Sequence, residues 1–267
     1  HAHRRAGMTG IGFLYGIHSC RMFAVTTAGD TAVLRQRCIM PDLAARRAKS
    51  KSAAVYAASV FLNKVTRMKK NIAFFDFDGT ITHEDTFTPF IYQSLDAKAV
   101  RRGKLRLLPH ILAWKMGWLS ASAIRQKVFH YAFAGKSQPE ILQRGNDHSQ
   151  VFIPRTLREN AMQRIAWHQA RGDTVVVVSA SLDVYLRPWC QQHHLELLCS
   201  EVEFQNGAAT GKYQGGDCSG LAKKARILAS YPLADYEEIF AYGDTPEDFA
   251  MLALATTKIY RWDEAPP

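Results

Sequence analysis

The stretch that decides the fold is Asn71–Thr82, NIAFFDFDGTIT. Its apolar half, Ile72-Ala73-Phe74-Phe75, is short, rich in aromatics and closed by a glycine turn, which predicts one buried strand of a parallel sheet. In open sheets of that kind, sites form at the carboxyl ends of the strands. Asp76 and Asp78 stand at that end. Residues i and i+2 of a strand share a side, so the two carboxylates face the same way. Paired so closely, they repel unless a cation or a shared proton intervenes. Gly79 allows a tight turn beside them and Thr80 offers a hydroxyl. The plainer reading is a strand that ends in an ordinary Asp/Gly turn.

Working outward, three further stretches place polar groups at strand ends or helix starts. Thr174-Val175-Val176-Val177-Val178 is continuous and β-branched, as a buried parallel strand should be, and runs into Ser179-Ala180-Ser181. A serine there puts a hydroxyl and free backbone N–H groups where an anion binds, although serine is also a good helix cap. Ser179 is preferred to Ser181. Asn206-Gly207 predicts a hairpin turn. Cys218-Ser-Gly220 then leads into a helix carrying Lys223 and Lys224, either of which can turn an ammonium toward the carboxylates. Last, Glu238–Tyr242 predicts a strand ending in Gly243-Asp244-Thr245-Pro246-Glu247-Asp248. Pro246 suits a first helical turn, and acids at a helix start also complement its dipole.

Taken together, D-x-D-G-T at Asp76–Thr80, the Ser179 hydroxyl, C-x-G-x-x-K at Cys218–Lys223 and G-D-x-x-x-D at Gly243–Asp248 resemble the four motifs of the haloacid dehalogenase (HAD) superfamily, subfamily IB. This is the branch that includes phosphoserine phosphatases and phosphatidylglycerophosphatase C. The resemblance covers about residues 71–262 and implies an α/β fold: a Rossmann-like parallel sheet flanked by helices, with a small all-helical cap inserted after the first strand. It implies a core of residues 69–84 and 160–267 and a cap over 85–159. It further implies a Mg2+-dependent phosphomonoester hydrolase, with Asp76 as nucleophile and Asp78 as general acid and base. Magnesium would be held by Asp76, the Asp78 backbone carbonyl and Asp244, with Asp248 in support. Ser179, Ala180, Lys223, Gly79 and Thr80 would surround the phosphate. In phosphoserine phosphatases a glutamate stands nine positions after the nucleophile; here that substrate-facing position is Asp85. Those enzymes also typically have serine at the Gly79 position and Gly-Gly where this chain has Ala180-Ser181, which points away from phosphoserine. The substrate class is a small-molecule or lipid phosphate. The alternatives are a phosphoserine phosphatase, a phosphotransferase, or a non-catalytic binding protein that uses the basic leader.

Between the first two motifs, RRGKLRLLPHILAWKMGWLSA predicts a basic amphipathic helix. Pro109 and Gly117 are expected to interrupt it, which favours a lid helix packed on its neighbours over one lying on a membrane surface. Helices are also predicted around Ser122–Phe133, Gln138–Arg144, Pro154–Arg171 and Leu182–His193.

Composition sets bounds. The 267 residues are 47% hydrophobic, enough for a large core. No run of about eighteen apolar residues occurs, so no spanning helix is expected. Five cysteines form no CxxC pair, which predicts reduced thiols and a cytoplasmic setting and excludes a zinc framework. The formal charge of +10 is uneven: of 34 basic and 24 acidic residues, 13 and 2 fall within residues 1–70, leaving 21 and 22 for the remainder. The basicity therefore sits in the leader, and no nucleic-acid partner is expected for the folded part. Residues 1–68 read as a transit-like leader or a mistranslated upstream segment, with Met68 favoured as the natural start. A helix is predicted over Ala53–Val65.

Overall fold

The computed structural model describes residues 70–262. The leader, the helix expected over Ala53–Val65 and the Met68 start lie outside the described residues.

The chain opens with strand β1 (Lys70–Phe75), passes through helices α1 (Phe87–Gln93), α2 (Ala97–Lys115), α3 (Ala121–Phe133) and α4 (Gln138–Asp147), and rejoins the sheet by way of α5 (Glu159–Ala170). Strand β2 (Thr174–Leu182), helix α6 (Asp183–Gln192) and the hairpin β3 (Glu196–Gln205) and β4 (Ala208–Gln214) follow. Helix α7 (Leu221–Ser230), strand β5 (Tyr236–Gly243), the short helix α8 (Phe249–Leu252) and strand β6 (Thr257–Tyr260) complete it. The sheet order is β4-β3-β2-β1-β5-β6. All neighbours are parallel except the β3–β4 hairpin.

Strand periodicity builds two cores. Phe75, Val175 and Val177 point to one face with Tyr185 and Trp189 of α6. Ile72, Phe74, Val176 and Val178 point to the other, against Ile227 of α7 and Met251 and Leu252 of α8. Both faces are covered, so β1 and β2 are apolar almost throughout. The helical insertion shares the first core: Phe90, Phe129, Phe133 and Ile141 join it.

Four expectations shift in detail. The helix expected over Pro154–Arg171 begins only at Glu159; residues before it form a π-helical turn (His148–Phe152) and a 3-10 turn (Ile153–Arg155). Strand β2 runs on to Leu182, beyond Val178. Pro246 opens a single 3-10 turn that leads into α8. Pro109 does not interrupt its helix: α2 is continuous for 19 residues and ends just before Gly117. Pro109 lies on the solvent side, where a lost backbone hydrogen bond is replaced by water.

Candidate active site

Sheet register brings the two acidic stretches together. Phe75 pairs with Tyr242, and the Asp76 N–H continues the ladder by donating to the Tyr242 carbonyl at 2.9 Å. Asp76 and Asp244 thus leave adjacent parallel strands at the same edge. Carboxylate oxygens of Asp76, Asp244 and Asp248 lie within 4.8 Å of one another.

Two glycines make that approach possible. Gly79 has φ +84°, and a Cβ there would collide with the Asp244 carboxylate. A Cβ at Gly243 would meet the Asp248 side chain. Thr80 Oγ1 donates to Asp244 Oδ1 at 3.0 Å. Asp248 is fully buried. Its Oδ2 accepts from the backbone N–H groups of Asp244 and Thr245 and from the Thr245 hydroxyl, each at 3.1 Å, closing a capping box.

Lys223 stands in the first turn of α7 and is 2% exposed. Its ammonium donates to Asp76 Oδ1 at 2.5 Å and Asp248 Oδ1 at 2.6 Å. Burial alone would lower its pKa; the two carboxylates outweigh this and raise it. Lys224 is only half-buried and is not among the residues lining the site cavity. Burial, together with the nearby Asp248 and Asp78 carboxylates, pushes Asp76 well above the usual carboxylate range despite Lys223. Burial also raises Asp244. Three carboxylates against one ammonium leave an excess of negative charge, and the donor atoms are all hard oxygens. That set is able to hold a divalent metal ion and suits magnesium.

Asp78 turns a different way from the three-carboxylate cluster. Its Oδ1 accepts from the Thr86 N–H at 2.7 Å and the Thr86 hydroxyl at 2.6 Å, and its Oδ2 accepts from the Ser181 hydroxyl. Burial pushes its pKa up to about 6, against the pull of these donors. A cavity of about 140 Å³ is lined by Asp76, Asp78, Ser179, Ala180 and Ser181, with Lys223, Asp85 and Arg125 also in its wall. Ser179 Oγ accepts from the Ser181 N–H at 3.0 Å. Asp85 lines the cavity but spends its carboxylate on the N–H groups of Phe87 and Thr88, at the start of α1.

The structure therefore brings together Asp76, Asp78, Gly79, Thr80, Ser179, Ala180, Lys223, Asp244 and Asp248, with Asp85 at the rim. Sequence reasoning missed Ser181 and Thr86 as partners of Asp78. It also missed Arg125 of α3, whose guanidinium reaches Asp217 at 3.0 Å and Glu247 at 3.1 Å. Ser181 stands within the quoted motif, in the part of β2 beyond the expected strand, and its hydroxyl meets Asp78. Nothing in the local pattern around Arg125 marks it.

The haloacid dehalogenase-like hydrolase family matches residues 73–253. Protein CicA of Caulobacter vibrioides strain NA1000 / CB15N is 32% identical over 200 residues, which covers 70% of this chain and 84% of CicA. A protein of unknown function from Bordetella pertussis Tohama I superposes with a TM-score of 0.62 at 21% identity, covering 72% of this chain and 90% of that one. A substrate-bound phosphoserine phosphatase superposes with a TM-score of 0.52 at 19% identity, covering 72% of this chain and 86% of that one. At such identities the likeness to the solved structures is one of fold. The family match spans strands β2 to β5, Gly79, Gly243 and all three acidic positions described above, and the chain belongs to the haloacid dehalogenase-like hydrolase family.

Proposed function

We propose that this protein is a Mg2+-dependent phosphatase that hydrolyses phosphomonoesters through an aspartyl-phosphate on Asp76. The observation that carries the reading is the convergence of Asp76, Asp244 and Asp248 on one point, with Lys223 among them and Asp78 hydrogen-bonded to Ser181 beside a cavity of about 140 Å³. Its family and the phosphatases that share its fold support it.

Asp76 and Asp244 would hold the metal together with the Asp78 backbone carbonyl; Asp248, whose oxygens are already taken, would orient Asp244 and Lys223. Bound there, magnesium supplies positive charge to the transferring phosphoryl group. The Asp76 carboxylate attacks phosphorus, the ester P–O bond breaks, and Asp78 gives its proton to the departing alkoxide. A carboxyl group near pKa 6 is suited to that exchange, since it holds a proton for the first step and accepts one in the second. Asp78, now ionised, takes a proton from water, which attacks the phosphorus and releases inorganic phosphate and free Asp76. Lys223 keeps Asp76 in place and offsets the charge of the phosphate oxygens. Ser179 and the backbone at Ala180 bind those oxygens.

Residues 85–159 would serve as the cap, with Asp85 and Arg125 at the mouth. The substrate is a phosphorylated small molecule or a lipid phosphate, and a cytoplasmic setting suits either. The test is release of inorganic phosphate from p-nitrophenyl phosphate: it is expected to require magnesium, to stop on chelation, and to vanish in Asp76→Asn. Turnover that survives in Asp76→Asn would remove Asp76 as nucleophile.

A further inference from the structure

Helix α2 half-buries Val100, Leu107 and Ile111 but turns a second apolar row outward. Leu105, Leu108 and Leu112 recur at steps of three and four, on the side opposite Gly103, which packs against the Tyr131 ring of α3. Leu105 is 77% exposed, Leu112 50%, and Trp118, just past the helix, 76%. A helix on the surface of a globular domain normally shows only its polar face to water. Contiguous exposed apolar surface of this kind marks an interaction site.

The charges around the stripe identify what covers it. Arg101, Arg102, Lys104, Arg106 and Lys115 flank the leucines, the helix contains no acidic residue, and none of the five forms a salt bridge among the described residues. Beside Arg106 opens a groove of about 820 Å³ that adds Lys127 and Lys212 to the same basic rim, again without an acid in its wall. A second copy of this face would set cation against cation. An apolar stripe inside a cationic border fits a surface that is apolar below and anionic above.

We propose that α2 docks the protein on an anionic phospholipid membrane, with Leu105, Leu108, Leu112 and Trp118 entering the interface and the basic border resting on lipid phosphates. The contact is peripheral, since no helix among the described residues is long and apolar enough to cross a bilayer. Helix α2 packs on α3, which also carries Arg125 to the wall of the cavity described above. The proposal goes beyond the hydrolytic reading and does not rest on it, because docking is read without turnover.

The experiment is co-sedimentation of the full chain with vesicles of phosphatidylglycerol in phosphatidylcholine, set against phosphatidylcholine alone, at low and high salt. Binding is expected only to the anionic vesicles and is expected to weaken as salt rises. The double variant Leu105→Glu/Leu112→Glu should bind at least about tenfold more weakly with an unchanged melting midpoint, because both positions are exposed. Lys104→Glu/Arg106→Glu should weaken binding similarly without touching the leucines. Failure of the full chain to bind overturns the proposal. So does undiminished binding in the leucine variant, which would assign the contact to another part of the chain. A full chain that is dimeric in solution and becomes monomeric in the leucine variant would make this face a self-interface and overturn it as well.

Discussion

At the scale of single residues, the site is a balance of buried charge. Lys223 is buried and gives its ammonium to two carboxylates. Replacing it by methionine leaves Asp76 and Asp248 buried and uncompensated, so Lys223→Met is expected to lose about 3 kcal/mol of stability in urea titrations and most phosphate release. Magnesium should restore part of the stability, since it neutralises the same carboxylates. Gly79 answers a different constraint: φ +84° and the contact with Asp244 leave no room for a methyl group. Gly79→Ala should cost about 1–3 kcal/mol in folding, and calorimetric titration should show weaker magnesium binding because Asp244 is displaced. The residues of D-x-D-G-T and G-D-x-x-x-D were legible because their chemistry is local to strand ends. Ser181 and Arg125 were not, since their roles arise from partners 103 residues away at Asp78 and 92 residues away at Asp217.

At the scale of elements, the π-helical turn His148–Phe152 supports the start of α1. His148 is buried, its Nε2 lies 3.1 Å from the Thr86 carbonyl, and burial lowers its pKa to about 4. Thr86 in turn holds Asp78, so this histidine stands behind the acid. As pH falls from the ordinary histidine range toward 4, the unfolded chain takes up a proton that the folded chain refuses, so stability contributed by neutral His148 is lost over that window. The raised carboxylates Asp76 and Asp78 act in the opposite sense, which makes the difference between two proteins the useful measurement. Between about pH 7 and pH 5, His148→Gln is expected to lose less urea stability than the parent, by about 1–2 kcal/mol. An equal loss in both would remove His148 from the account. Helix α2 shows how far periodicity reaches. Its helical character and basic composition were plain, but which way its leucines faced depended on Gly103 meeting Tyr131, a contact that pattern alone does not contain.

At the scale of the molecule, the parallel sheet and its inserted helices follow from the order of strand-like and helix-like stretches. The adjacency of β1 and β5 does not, because their pairing spans more than half the described chain. That adjacency is what makes a site from two distant acidic stretches. Arg125 joins the insertion to the core by its contacts with Asp217 and Glu247. Arg125→Ala is expected to cost about 2 kcal/mol, as a mostly buried pair broken on one side. Hydrogen exchange should quicken in α2 and α3 while β1 and β2 stay protected.

The β3–β4 hairpin has a further consequence for how this protein can be cut down. The segment between α3 and α4 bonds to it as an extra strand would, with the Gly135 N–H on the Ala209 carbonyl at 2.8 Å, the Ala209 N–H on the Lys136 carbonyl at 2.9 Å and the Gln138 N–H on the Gly207 carbonyl at 2.8 Å. A minimal enzyme stripped of these helices would bare those backbone groups of the hairpin along with the core residues that pack on Phe90, Phe129 and Phe133. Such a fragment would seek pairing from its own copies and precipitate, so the inserted helices guard the hairpin against aggregation.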